Sequence, residues 1–153
     1  VHLFVLTLSI LAIFFITIIF YTQIRTKEKK KHFENLYLKH TPVNYKEEGK
    51  SGRWAIVKEH MSSESETEWK LGIIEADSIL EALLTELEYP GENIGEKLKG
   101  ASPTRFKSLQ NAWEAHKVRN RIAHEGSQFT LTRPEARRAI SNYEVVFKEY
   151  NYI

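Results

Sequence analysis

SPTRFKSLQNAWEAHKVRNRIAHEG, residues 102–126, is the stretch on which the reading of this chain turns. Ser102-Pro103 is a helix-start signal: a hydroxyl side chain for the cap, then a proline where a missing N–H costs nothing. Phe106, Leu109, Ala112, Trp113 and Ala123 then recur at helical spacing, and Gly126 supplies the stop. The expectation is a long helix with one buried face. In its last turns that face changes character. At about 100° per residue, with His116 at zero, Arg119 falls near −60°, Asn120 near +40° and His124 near +80°. Leu109, Ala112 and Trp113 share that arc. Polar side chains on a face that is otherwise buried need partners, water or a ligand. A structural account would have His124 offset the helix dipole while Asn120 and His116 bond neighbouring loops. A functional account makes the cluster a site.

The flanking sequence is helical as well. Trp54, Val57 and Met61 begin a short amphipathic helix, which SSESETE (62–68) interrupts. Trp69, Ile73, Ala76, Leu80, Leu83, Leu84 and Leu87 form a strong second helix that ends at Tyr89-Pro90-Gly91. A short turn around residues 94–99 follows. Thr132 and Glu135 have capping-box spacing and open a last helix, with Ala136, Ile140, Tyr143 and Phe147 inward. Strand alternation is almost absent. These patterns predict an all-α fold, a small bundle of four main helices over residues 53–153, preceded by one transmembrane helix.

The transmembrane expectation rests on residues 3–21, LFVLTLSILAIFFITIIFY, within a charge-free stretch over residues 1–24. Nineteen residues at about 1.5 Å each reach roughly 28 Å, near the thickness of a bilayer core. The run is long for a signal peptide and lacks a small-residue cleavage site. Residues 25–52 then read as a basic juxtamembrane segment and linker, at +4 for residues 25–40. By the positive-inside rule this predicts a single-pass protein of the plasma (inner) membrane with its carboxyl-terminal domain in the cytoplasm.

With no cysteine among 153 residues, disulfide scaffolds, thiolate zinc sites, iron–sulfur clusters and thiol nucleophiles are excluded. No HExxH, GxSxG, Walker or dinucleotide motif occurs, which removes the hydrolases, kinases and dehydrogenases built on them. His116 and His124, eight residues apart without a third ligand, make no metal site, and no cofactor is implied. Charge is segregated: residues 62–96 carry a net −9, residues 97–138 a net +7. One reading is attraction between helices of the bundle. The other is a basic surface for a phosphate-bearing or acidic partner.

Arg119-Asn-Arg-Ile-Ala-His124 resembles the Arg-x(4–6)-His motif of the HEPN superfamily, with Asn120 as the polar residue that often follows its arginine. Arg25-x6-His32 and Arg53-x6-His60 satisfy the spacing too. The polar patch, the glycine stop and the capped helix beyond single out Arg119 and His124. The resemblance covers residues 53–150 and implies a helical bundle that acts as a homodimer. Many members are metal-independent endoribonucleases; others are non-catalytic dimerisation or partner-binding modules. In the nuclease case the resemblance makes Arg119, Asn120 and His124 catalytic. Arg119 would hold the phosphate, Asn120 would orient His124, and His124 would move the proton as the 2′-OH attacks. His116 is a further acid–base candidate, and in the same case Lys97, Lys99, Arg105, Lys107, Lys117 and Arg121 would bind the RNA. The alternative function is a non-catalytic module beneath the membrane.

Overall fold

The computed structural model describes residues 4, 7, 11–25 and 50–153, and the chain divides into two units, Val1–Pro42 and Val43–Ile153. Among the described residues there are six α-helices, a short 3-10 turn and no strand. In the first unit the described residues, 4, 7 and 11–25, are all helical (α1), with Phe14, Ile16, Ile19 and Phe20 exposed.

The membrane-spanning helix expected over residues 3–21 is not found: no helix among the described residues is long and apolar enough to cross a membrane. The expected count of four helices plus one is likewise replaced by six. The basic segment up to Pro42 lies outside the described residues, as does Arg25-x6-His32 beyond Arg25.

The second unit holds α2 (Lys50–Ser62), α3 (Glu66–Glu86), α4 (Ile94–Gly100), α5 (Leu109–Glu125), the 3-10 turn Gly126–Gln128 and α6 (Arg133–Glu149). Within the stretch 25–52, expected as juxtamembrane segment and linker, helix is already present from Lys50. α3 is central, contacting α2, α4, α5 and α6. Its apolar residues occur all round the helix, as a helix packed on several sides requires: Leu71, Ile73, Ile74, Ala76, Ile79, Leu80, Leu83 and Leu84 are all buried. Trp54 and Val57 on α2, Leu98 on α4, Phe106 before α5, and Tyr143, Val146 and Phe147 on α6 complete the core. Trp54 meets Phe147 edge-on at 5.5 Å between ring centroids. Gly72 lets α2 come close; a Cβ there would stand 3.1 Å from the Cβ of His60.

α6 opens with the expected capping box. Thr132 Oγ1 accepts from the Glu135 N–H, and the Glu135 carboxylate accepts from the Thr132 N–H. α5 starts later than Ser102-Pro103 predicts. Residues 102–106 close a single turn, with the N–H groups of Arg105 and Phe106 on the Ser102 carbonyl. Phe106 is then buried between Tyr89 and Tyr150. The α5 start is capped from a distance instead: Glu149, at the end of α6, accepts from the N–H of Lys107 (2.8 Å) and of Ser108 (2.7 Å). A carboxylate at a helix N-terminus satisfies orphan donors and the dipole together.

Candidate functional site

The carboxyl half of α5 places His116, Arg119, Asn120 and His124 as the helical register dictates. His116 is buried and Arg119 and Asn120 are half-buried; His124 is exposed in the last turn before Gly126, whose φ of 58° ends the helix. At the centre of this region lies a residue that the motif does not contain. Asp77, on α3, has only 2 % of its side chain exposed, and donors from two helices converge on it. His116 Nδ1 is 2.9 Å from Oδ1, the Tyr143 hydroxyl donates to the same oxygen at 2.8 Å, and Arg119 Nε is 3.2 Å from Oδ2.

An ionised carboxylate only accepts, so the His116 nitrogen facing it carries a hydrogen. In the neutral ring the lone pair is then on Nε2. Burial, followed by the adjacent Asp77 charge and hydrogen bond, pushes the Tyr143 hydroxyl well above its ordinary value, so it remains a donor. Asp77 thereby joins α3 to α5 and α6. The Arg119 side chain keeps 32 % of its surface open. Arg119 Nη1 also lies 3.4 Å from the amide oxygen of Asn120, the residue expected to orient His124.

The expected cationic surface is dispersed. Lys97 is buried, its ammonium donating to the Thr85 hydroxyl at 2.7 Å. Lys117 pairs with Glu114 at 2.8 Å. Arg121 stacks on Phe129, 4.2 Å from the ring centroid, with Glu125 and Glu135 each at 3.5 Å. Lys99, Arg105 and Lys107 are exposed. Arg137 and Arg138, exposed on α6, were not in the expected set. A shallow cavity of about 270 Å³, lined by Lys107, Ser108, Asn111, Val145 and Glu149, marks the α5–α6 seam at the α5 start. Among the described residues no cluster of three or more His, Asp or Glu is placed to hold a metal ion.

Asp77 and Tyr143 escape a reading that follows α5 alone. The available signal is a pair of acids, Glu75 and Asp77, in the largely apolar run Ile73-Ile74-Glu75-Ala76-Asp77-Ser78-Ile79-Leu80, since a buried carboxylate demands partners. Tyr143 reads as an inward aromatic, which it is, but its hydroxyl has a specific task. No family model, curated protein or solved structure matches this chain.

Proposed function

We propose that the second unit is a HEPN-like domain acting on RNA as a metal-independent endoribonuclease, with Arg119 and His124 as its reactive groups. One observation carries this reading: Arg119 is fixed on a buried carboxylate while about a third of its side chain stays open, on the same last turns of α5 as the exposed His124. A guanidinium so held can grip a phosphodiester and offset charge as it develops. An imidazole, with a reference pKa of about 6.5, exchanges protons near neutral pH. On α5 the two residues lie roughly 140° apart, at about 100° per residue. One phosphodiester therefore meets both most simply in a symmetric homodimer, where His124 of one copy faces Arg119 of the other.

A specific observation also supports a second reading. Asp77 already neutralises Arg119, which suits a non-catalytic module whose polar cluster fastens helices and presents a binding surface.

The test is cleavage of single-stranded RNA by the full chain with EDTA present, beside Arg119→Ala and His124→Ala. The nuclease reading expects cleavage by the wild type and a loss of about 10²-fold or more in each variant, with circular dichroism unchanged. A folded wild type that leaves RNA intact supports the binding module. Unfolding of Arg119→Ala would assign that residue to architecture.

A further inference from the structure

Transesterification of RNA needs two proton transfers. One group takes the proton of the attacking 2′-OH, and another gives a proton to the departing 5′-oxygen. The proposed function supplies His124 for one of them. The geometry around Asp77 points to the other. We infer that Asp77 and His116 form a carboxylate–imidazole dyad in which His116 is the general base and Asp77 its positioning residue; this rests on the nuclease reading above.

Three features support the assignment. First, the carboxylate fixes the ring: the 2.9 Å contact holds Nδ1, so Nε2 is the basic atom of the neutral imidazole, and 9 % of the side chain's surface is open. Second, Asp77 holds the phosphate-gripping group too, through the 3.2 Å contact from Arg119 Nε, so base and cation share one anchor on adjacent turns of α5. Third, stability alone is a poor reason for this arrangement. A buried ion pair is often matched or bettered by apolar side chains of similar volume, whereas a reactive group gains from being fixed. The charged and titratable groups that face His116 are Asp77 from α3, Arg119 on its own helix and, through the shared carboxylate, Tyr143 from α6.

The proton balance closes. His116 Nε2 takes the proton of the 2′-OH, and the 2′-oxygen forms its bond to phosphorus. The P–O5′ bond breaks with its electron pair, and O5′ takes a proton from the His124 imidazolium. The products are a 2′,3′-cyclic phosphate and a 5′-hydroxyl end. Both histidines then return to their starting states by exchange with water. Along α5 the two histidines are separated by a rise of about 12 Å, so the acid is His124 of a second copy.

Two measurements test the dyad. Nitrogen-15 NMR of the full chain reads the tautomer without any reaction: the His116 Nδ1–H proton is expected far downfield, and Asp77→Asn should move it upfield. In kinetics, His116→Gln should lower kcat about 10²–10⁴-fold with a much smaller change in KM. It retains a donor for Asp77, and its folding is checked by thermal unfolding. Mixing inactive His116→Gln and His124→Ala chains one to one should restore roughly a quarter of wild-type activity, because half the dimers then hold one intact site of two.

A wild type that cuts RNA while His116→Gln keeps its kcat overturns the dyad and leaves the nuclease reading standing. A proton on Nε2 rather than Nδ1 of the neutral ring does the same. Failure of the mixture to recover activity overturns the division of base and acid between copies. If the wild type cuts no RNA, the nuclease reading falls, and this role for His116 falls with it.

Discussion

α3 carries two buried acids that solve the same problem differently. Glu75 and Asp77 are two residues apart, about 200° around the helix, and so face opposite sides. Glu75 meets α2: Arg53 Nε donates to Oε1 at 2.8 Å, and Arg53 Nη2 also reaches the Ser78 hydroxyl at 2.9 Å. That is a clamp between sequential helices, made by one flexible side chain that is 21 % exposed. Asp77 meets α5 and α6, taking an imidazole, a guanidinium and a phenol from 39 to 66 residues away. The Glu75 pair fastens. The Asp77 cluster gathers an imidazole, a guanidinium and a phenol on one carboxylate, where the Glu75 pair holds one guanidinium.

The largest effect is expected at the more crowded acid. Asp77→Ala strands a buried imidazole and a fully buried phenol beside a guanidinium, and removing one partner of a buried pair typically costs about 3–5 kcal/mol. Urea unfolding followed by circular dichroism should show a loss in that range. Glu75→Ala should cost less, about 2–3 kcal/mol, because Arg53 is long enough to turn its charge to water. Equal losses would mean that the two acids are equivalent fasteners and would remove the contrast.

The contrast was only half legible in the sequence. Periodicity and caps place α2, α3 and α6 well, because their signals are local: Trp54 with Val57, the apolar run from Leu71 to Leu84, the Thr132–Glu135 box. The start of α5 was misread because Ser102-Pro103 is also a good local signal. Glu149 overrides it from more than 40 residues downstream. Asp77 was missed for the same reason, since its partners become visible only once α5 and α6 are docked. His116, Arg119, Asn120 and His124 are legible as one candidate group because a single helix carries them. At the other extreme, the apolar composition of residues 3–21 has no counterpart in a described helix long enough to span a bilayer.

The next perturbation acts on the α2 side alone. In Gly72→Ala the new methyl would crowd His60, at 3.1 Å from its Cβ, and push α2 away from α3. Overpacking of this kind costs about 1–3 kcal/mol, and the helix propensity of alanine returns part of it. The net loss should be about 1 kcal/mol by urea unfolding. Hydrogen exchange should quicken in α2 while the amides of α5 and α6 stay protected. Equal deprotection of α5 would show that the two sides of α3 are not independent.

The smallest effect belongs to the other side and is read by pH. Glu66, Glu135 and Glu149 are each held below the ordinary glutamate range. Lys70 and the Leu131 N–H do this for Glu66, and the Thr132 backbone and hydroxyl do it for Glu135. At Glu149 burial pushes upward, but the hydrogen bonds from Ser108 and Lys107 outweigh it. A carboxyl lowered in the folded state adds stability that is complete above its unfolded value and is lost as pH falls through its folded value. The urea midpoint should therefore hold steady from neutral pH down to about pH 5 and then decline through pH 4 and below. Glu149→Gln should flatten part of that decline and lower the neutral-pH midpoint, since an amide oxygen caps the α5 start less strongly than a carboxylate. These three carboxylates fasten the two ends of α6 and the segment leading into it. Acid should thus loosen the frame around Asp77 before it reaches the α2 side, and hydrogen exchange at about pH 4 should show α6 opening ahead of α2. If α2 opened first, the Glu75 clamp would be the weaker fastening, and the stable scaffold would be the side that bears His116 and Arg119.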